Sequence, residues 1–204
     1  MSAASHCSSN RNLTAMRTIR RRGARAAAAA ALAFISCVVP SFAQHSKPTQ
    51  YDVEAAYLFN FAKFVRWPPK ARPRQSSLSI CVVGDDVFSA VLDRTISGEQ
   101  INGKPVVEKR IASPQEVSDC SILYIGAADP GQATRMLSEA TDLPVLTVSE
   151  MPDFLDRGGM IQFVLLDDRV RFKVNLQPTQ HDGLTLSSEL LKVALEVRGA
   201  NAVR

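Results

Sequence analysis

The stretch LSICVVGDDVFSAVLDRTI, residues 78–96, decides how the chain folds. Residues 78–84 form a short apolar run closed by Gly84, and Asp85 stands where a helix through Ile96 needs its cap. A strand, a glycine and a carboxylate that accepts the first helical amides make the first half of a βα unit. The same grammar recurs downstream. Residues 106–111 read as the next strand, and Ser113, Pro114 and Glu116 form a capping box with proline in the first helical position, opening a brief helix before Cys120. Residues 121–126 are another strand, after which Asp129, Pro130 and Gln132 repeat the signal for a helix reaching Ala140. A fourth strand at residues 145–148 is followed by a short helical turn at 151–156. Then the period changes. Ile161, Phe163 and Leu165 alternate before Asp167 and Asp168, and Val170, Phe172, Val174 and Leu176 alternate after them, with Arg169, Arg171, Lys173 and Asn175 opposite. That is a hairpin with one face in the core and one in water. A last helix, capped by Ser187 or Ser188, presents Leu190, Leu191, Ala194 and Val197. Together these elements imply an α/β fold: a three-layer sandwich with a mostly parallel sheet and an antiparallel C-terminal hairpin.

Upstream, an aromatic-rich helix precedes the sandwich. Thr49 caps it and Asp52 sits in its first turn, at the positive end of the helix dipole. Ala55, Leu58, Ala62 and Val65 mark one stripe at helical spacing, with Tyr57, Phe61 and Phe64 beside it. A face this wide needs a cover. Trp67, Pro68 and Pro69 stop the helix, because proline disfavours helical geometry in the residue before it. The polar, proline-containing stretch 68–77 is a linker.

Residues 1–43 read as an export signal. Arg17, Arg20, Arg21, Arg22 and Arg25 make a basic start, residues 26–39 run without a charge, and Ser41 to Ala43 place small residues at the peptidase site, so cleavage after Ala43 is expected. An apolar run of about fourteen residues is shorter than the roughly twenty that a membrane-spanning helix needs. The processed protein is then one domain, residues 44–204, located in the periplasm. Six arginines, Arg11 included, and no acids precede Gln44, leaving 18 basic against 20 acidic residues. The basic balance of the whole chain therefore belongs to the signal, and no basic stripe remains for nucleic acid. Only Cys81 and Cys120 lie beyond it. In an oxidising compartment two cysteines suggest one disulfide, the alternative being two buried thiols.

A search for chemistry finds little. Open sheets bind ligands at the carboxyl ends of their strands, which points to the turns after Val83, Ile125 and Val148. Gly84, Asp85 and Asp86 lack the further glycines or lysine of a nucleotide loop, and hard cations want more oxygen ligands than Asp85 and Asp86 offer. His181 beside Asp182 and Gly183 reads as a turn residue, and no Gly-x-Ser-x-Gly elbow is present. Zinc would need three or four clustered ligands, a set this chain is not expected to assemble. The expectation is a binding protein without enzymatic activity, cofactor or metal. One constellation suits a ligand or a partner: Arg66 and Trp67 at the end of the first helix, with the amides and hydroxyls of Thr185, Ser187 and Ser188 at the start of the last. If the two segments meet, an anion or carboxylate fits there, so a receptor for a small anionic solute is the alternative function.

The segments EAAYLFNFAKFVRWP (54–68), LSICVVGDD (78–86), CSILYIG (120–126), GGMIQFVLLDDRVRFKVNL (158–176) and GLTLSSELLKVA (183–194) together resemble the YfiR family of exported regulators. The resemblance implies a periplasmic, dimeric repressor that binds the periplasmic part of a membrane-bound diguanylate cyclase. Cyclic di-GMP and biofilm formation would fall, and an outer-membrane lipoprotein would relieve the restraint. It also implies that Cys81 and Cys120 form an intramolecular disulfide. If the strands ending at Gly84 and Gly126 finish level, an extended chain would stagger the two cysteines by about 10 Å. A disulfide wants α-carbons within about 7 Å, so offset strand ends are expected.

Overall fold

The computed structural model describes residues 47–69, 76–126 and 129–199, all within one compact unit, Ser46–Arg204. The export signal and its cleavage point lie outside the described residues, as does most of the linker.

Helix α1 (Gln50–Phe64) starts at a capping box: the Asp52 amide donates to Thr49 Oγ1 at 3.2 Å and the Thr49 amide to Asp52 Oδ2 at 2.8 Å. It ends three residues before Trp67. Val65–Arg66 turns extended as β1, because β-branched Val65 and the approach to Pro68 disfavour helix while an antiparallel partner, β9 (Thr185–Leu186), is at hand. Strand β2 (Leu78–Val83) leads through Gly84, at φ 79°, to α2 (Asp86–Ile96), whose cap Asp85 accepts the Phe88 amide at 2.8 Å. The chain continues as β3 (Gln100–Ile101), β4 (Lys104–Arg110), a 3₁₀ helix (Pro114–Asp119), β5 (Ile122–Ile125), α3 (Pro130–Ala140) and β6 (Leu146–Ser149). Asp129 accepts the Gln132 amide at 3.0 Å at the start of α3. Residues 151–158 are turns, not the helical turn expected. The hairpin pairs β7 (Ile161–Leu166) with β8 (Arg169–Asn175), placing Phe163 opposite Phe172. Its two-residue turn holds Asp167 and Asp168 at φ 49° and 56°, the left-handed geometry whose twist matches that of the strands. Helix α4 (Leu176–His181), strand β9, helix α5 (Ser188–Val193) and β10 (Glu196–Arg198) complete the chain. The last helix is thus shorter than its apolar spacing suggested: Val197 belongs to a strand lying parallel to β8.

Among the described residues the main sheet has eight strands in the order β10-β8-β7-β6-β5-β2-β4-β3, with β6, β5, β2 and β4 mutually parallel. Helices α1, α2 and α5 cover one face, where Leu58, Phe61, Phe88 and Leu190 meet Ile80, Val82, Tyr124 and Val148. Helix α3 and the 3₁₀ helix cover the other, where Met136 and Val117 meet Val83, Leu123 and Ile125. The hairpin covers the aromatic face of α1 at Tyr57 and Phe61, where Phe61 stacks on Phe163 at 5.9 Å and meets Phe172 edge-on at 5.0 Å, and leaves Phe64 exposed.

Cys81 and Cys120 are joined, with α-carbons 5.7 Å apart. The strand ends are level, not offset, since Val83 pairs with Ile125. The bond forms because Cys120 is not in β5: it caps the 3₁₀ helix, where the chain packs over the sheet face that carries Cys81. Both cysteines are buried. Closing a loop with a sequence separation of 39 removes denatured-state freedom equivalent to about 4 kcal/mol on the chain-entropy account. The double variant Cys81→Ala/Cys120→Ala should therefore lose about 4 kcal/mol in urea unfolding, and an unchanged midpoint would show that the bridge constrains nothing.

Candidate functional site

Strand order reverses between β2 and β5: the crossover through α2 runs to β4 on one side, and that through α3 runs to β6 on the other. Such a switch point leaves a crevice at the carboxyl ends of the strands. Here the two loops are pressed together, for a Cβ on Gly126 would lie 2.7 Å from Asp85 Cβ. The amino-terminal half of α1 roofs the crevice on its own face of the sheet and brings Gln50, Tyr51 and Glu54 to it.

A carboxylate cluster results. Gln50 Nε2 donates to Glu54 Oε1 at 2.8 Å and to Glu150 Oε2 at 3.1 Å, so one amide ties two acids together. Tyr124 Oη donates to Glu54 Oε2 at 3.3 Å, and Tyr51 Oη to Asp85 Oδ2 at 2.8 Å. Phe88 stacks on Tyr124 at 4.1 Å and meets Tyr51 edge-on, walling the acids on one side. On the other, Gln50, Glu54, Glu150, Gln162, Phe163 and Leu165 line a groove of about 430 Å³.

Glu54 is 1 % exposed. Burial pushes its carboxyl up to about 7, with repulsion from Glu150 and Asp85 adding to the rise and hydrogen bonds from Gln50 and Tyr124 opposing it. Glu150 is raised too, by burial and then by Asp85. The Tyr51 hydroxyl is pushed up to about 12, chiefly because it donates to Asp85, and Tyr124 rises through burial first and then through Glu54. Glu54 can take up and release a proton near neutrality, and the groove beside it suits a cationic or hydrogen-bond-donating group. No His, Ser or Cys nucleophile stands among these groups.

Sequence inspection placed a site at these turns but set Asp85 aside as a cap, which it is, and passed over Glu54 and Glu150. The missed signal was a glutamate within the apolar stripe of α1, one turn before Leu58.

The other residues singled out from the sequence do come together, elsewhere. Pairing of β1 with β9 sets Arg66 opposite Thr185, and the Ser187 amide donates to the Phe64 carbonyl at 2.9 Å. Arg66 and Thr185 are exposed, while Trp67 is half-buried and packs against the main core. Ser187 Oγ accepts the Leu190 amide at 3.2 Å as the cap of α5, and Ser188 Oγ donates to Glu189 Oε1 at 3.2 Å. Glu189 is held below the usual carboxylate range by its own backbone amide, then by the serine hydroxyls, with Arg66 adding a favourable charge. The chain supplies its own carboxylate to these donors.

A family model described as YfiR/HmsC-like matches residues 51–195 of the chain. Among solved structures, the crystal structure of a conserved domain protein from Vibrio cholerae O1 biovar eltor superposes with a TM-score of 0.52 at 11 % identity, over 75 % of this chain and 62 % of that one. At that identity the likeness is one of fold, and the chain spans less than two thirds of the Vibrio protein. The ABC domain in complex with L-Trp from Streptococcus pneumonia gives a TM-score of 0.42 at 12 % identity, over 59 % of this chain and 55 % of that one.

The raised Glu54 carboxyl has a stability consequence of definite sign. Glu54 holds its proton more tightly folded than unfolded, so its contribution is complete below about pH 4.5 and is lost as pH rises through about 7. The loss amounts to at most about 3 kcal/mol. Glu54→Gln, which keeps the shape and cannot ionise, should be more stable than the parent at pH 8 and should show a shallower decline in urea-unfolding free energy from pH 5 to pH 8. A parent-like decline in the variant would contradict this assignment.

Proposed function

The chain belongs to the YfiR/HmsC-like family, and from that premise we propose that it is a periplasmic regulator of cyclic di-GMP signalling. It acts by binding: it holds the periplasmic part of a membrane-bound diguanylate cyclase in an inactive arrangement, as a homodimer, until a partner such as an outer-membrane lipoprotein draws it away. Cyclic di-GMP and biofilm formation fall while the restraint lasts. The observation that carries this reading is the family match across residues 51–195, which takes in all but the first residue of α1, the parallel strands β2, β4, β5 and β6, the hairpin and α5.

Two features agree with it. A buried disulfide fits an oxidising compartment, as export by residues 1–43 would require. Among the described residues no helix is long and apolar enough to cross a membrane, as suits a protein delivered through the membrane to act on a partner anchored in it. The groove beside Glu54 and Glu150 is the surface best matched to that partner. Its acidic floor and the exposed Leu165 at its edge, 57 % accessible, suit a segment of the cyclase that carries a lysine or arginine next to an apolar side chain. A receptor for a small anionic solute has less support, since the Arg66 and Ser188 donors already face Glu189 and the groove itself is acidic.

Deleting the gene should raise cellular cyclic di-GMP in a strain that carries the cognate cyclase, and re-expression should restore it. Unchanged nucleotide levels in such a strain would remove the proposal. For the groove, Glu150→Lys should weaken capture of the cyclase from solubilised membranes by about tenfold or more, a rim-charge reversal costing more than a kilocalorie per mole. Capture equal to the parent's would place the contact elsewhere.

A further inference from the structure

At the opposite end of the sheet, on the α3 side, two turns that are distant in sequence meet. The turn after α3 contributes Asp142, held at φ 65°, and the end of α4 contributes His181 and Asp182. His181 Nδ1 lies 2.9 Å from Asp182 Oδ1 and 3.6 Å from Asp142 Oδ1, and the donor atoms of all three side chains lie within 4.8 Å of one another. The Asp142 amide donates to Asp182 Oδ1 at 3.2 Å, which fixes that carboxylate's direction. We propose that Asp142, His181 and Asp182 form a binding site for a divalent first-row metal ion, with zinc the preferred occupant.

The donor set and its spacing both support this. One imidazole and two carboxylates are ligands that zinc accepts at about 2.0–2.2 Å, and a tetrahedron with such bonds has edges of about 3.3 Å. The separations of 2.9 and 3.6 Å from His181 Nδ1 bracket that edge and the third lies within 4.8 Å, so the exposed side chains must draw in to complete the geometry. A nitrogen donor selects against magnesium and calcium, which prefer oxygen throughout. The Asp182 side chain is only 5 % exposed and anchors the set, while Asp142 and His181, at 79 % and 61 %, are free to adjust.

Three protein ligands leave at least one position open. His181 and Asp182 form part of the rim of a cavity of about 370 Å³ whose wall includes Thr147, Met160 and Asn175, with room for water or a ligand atom brought by a partner. An ion there would staple the turn leading into β6 to the turn leading into β9, the strand that holds β1 and the end of α1. The staple is independent of the Glu54 cluster and of the family's regulatory role. Sequence inspection found no ligand cluster because Asp142 joins His181 and Asp182 only through the fold.

The test uses the purified protein with zinc chloride alone. By equilibrium dialysis the parent should take up zinc at this site, and Asp142→Asn and His181→Gln should each weaken that uptake by about tenfold or more. With free zinc at 100 times the parent's Kd, the parent's Tm should rise by about 5–10 °C, and each variant's rise at the same zinc concentration should be about half of that or less. Both substituted side chains are exposed, so the variants should retain the parent's circular dichroism. A parent that binds no zinc, or variants that bind it as the parent does, would overturn the proposal.

Discussion

Strand β2 is the constraint on which the rest of the structure depends. All six of its residues are buried, because it is hydrogen-bonded to a parallel neighbour on each side and covered by helices on each face. Such a strand has no solvent-facing side chains, and Leu78–Val83 accordingly carries no charge. Its two faces are fastened differently. Ile80 and Val82 join the aromatic core beneath α1 and α2, while Cys81 is bonded to Cys120 beneath the 3₁₀ helix. At Ser79 its backbone is tied to the start of β5: the Ser79 amide donates to Ser121 Oγ at 3.2 Å, and the Ser79 carbonyl accepts the Ser121 amide at 2.8 Å. A strand held this way fixes where its carboxyl end lies, and with it Gly84, Asp85 and the crevice that α1 closes.

The crevice is shaped by a conflict between burial and charge. Placing Glu54 in the apolar stripe of α1 removes a carboxylate from water, which disfavours its ionised form. The fold answers with Tyr124 and Gln50 as donors, and Glu150 nearby limits how far they succeed. A stably packed helix would gain from an apolar residue at that position. Retaining an acid there gives the face of α1 a proton-sensitive group beside a groove. The aromatic clasp of Phe61, Phe163 and Phe172 holds the same helix to the hairpin, so the groove has firm walls on both sides.

Local signals in the chain were legible, and the contacts that build sites were not. Thr49 with Asp52, Asp85, Asp129 and Ser187 each cap a helix through a bond to a residue no more than three positions away, so the cap can be read from spacing alone. The alternation of residues 161–175 gave the hairpin for the same reason. By contrast, β1 exists only because Val65 and Arg66 meet Leu186 and Thr185, and β10 only because β8 offers a free edge. Strand β3 is as local as the caps, since Asn102 and Gly103, at φ 53° and 75°, form the two-residue turn that pairs it with β4. The Gln50 bridge between Glu54 and Glu150 spans 100 residues at one end, and no periodicity encodes it. The disulfide shows the reverse: a stagger of about 10 Å supposes an extended chain back to Cys120, whereas β5 begins only at Ile122 and Cys120 caps the 3₁₀ helix.

The account makes this chain a binder whose sheet, helix and groove serve to hold a membrane enzyme still. Its most direct test is the rate of cyclic di-GMP synthesis by the cognate cyclase in nanodiscs, measured as purified protein is added. The account predicts that the rate falls and levels off once the protein matches the cyclase in stoichiometric terms, together with a complex that survives size-exclusion chromatography. A rate independent of added protein, with the two eluting separately, would contradict it.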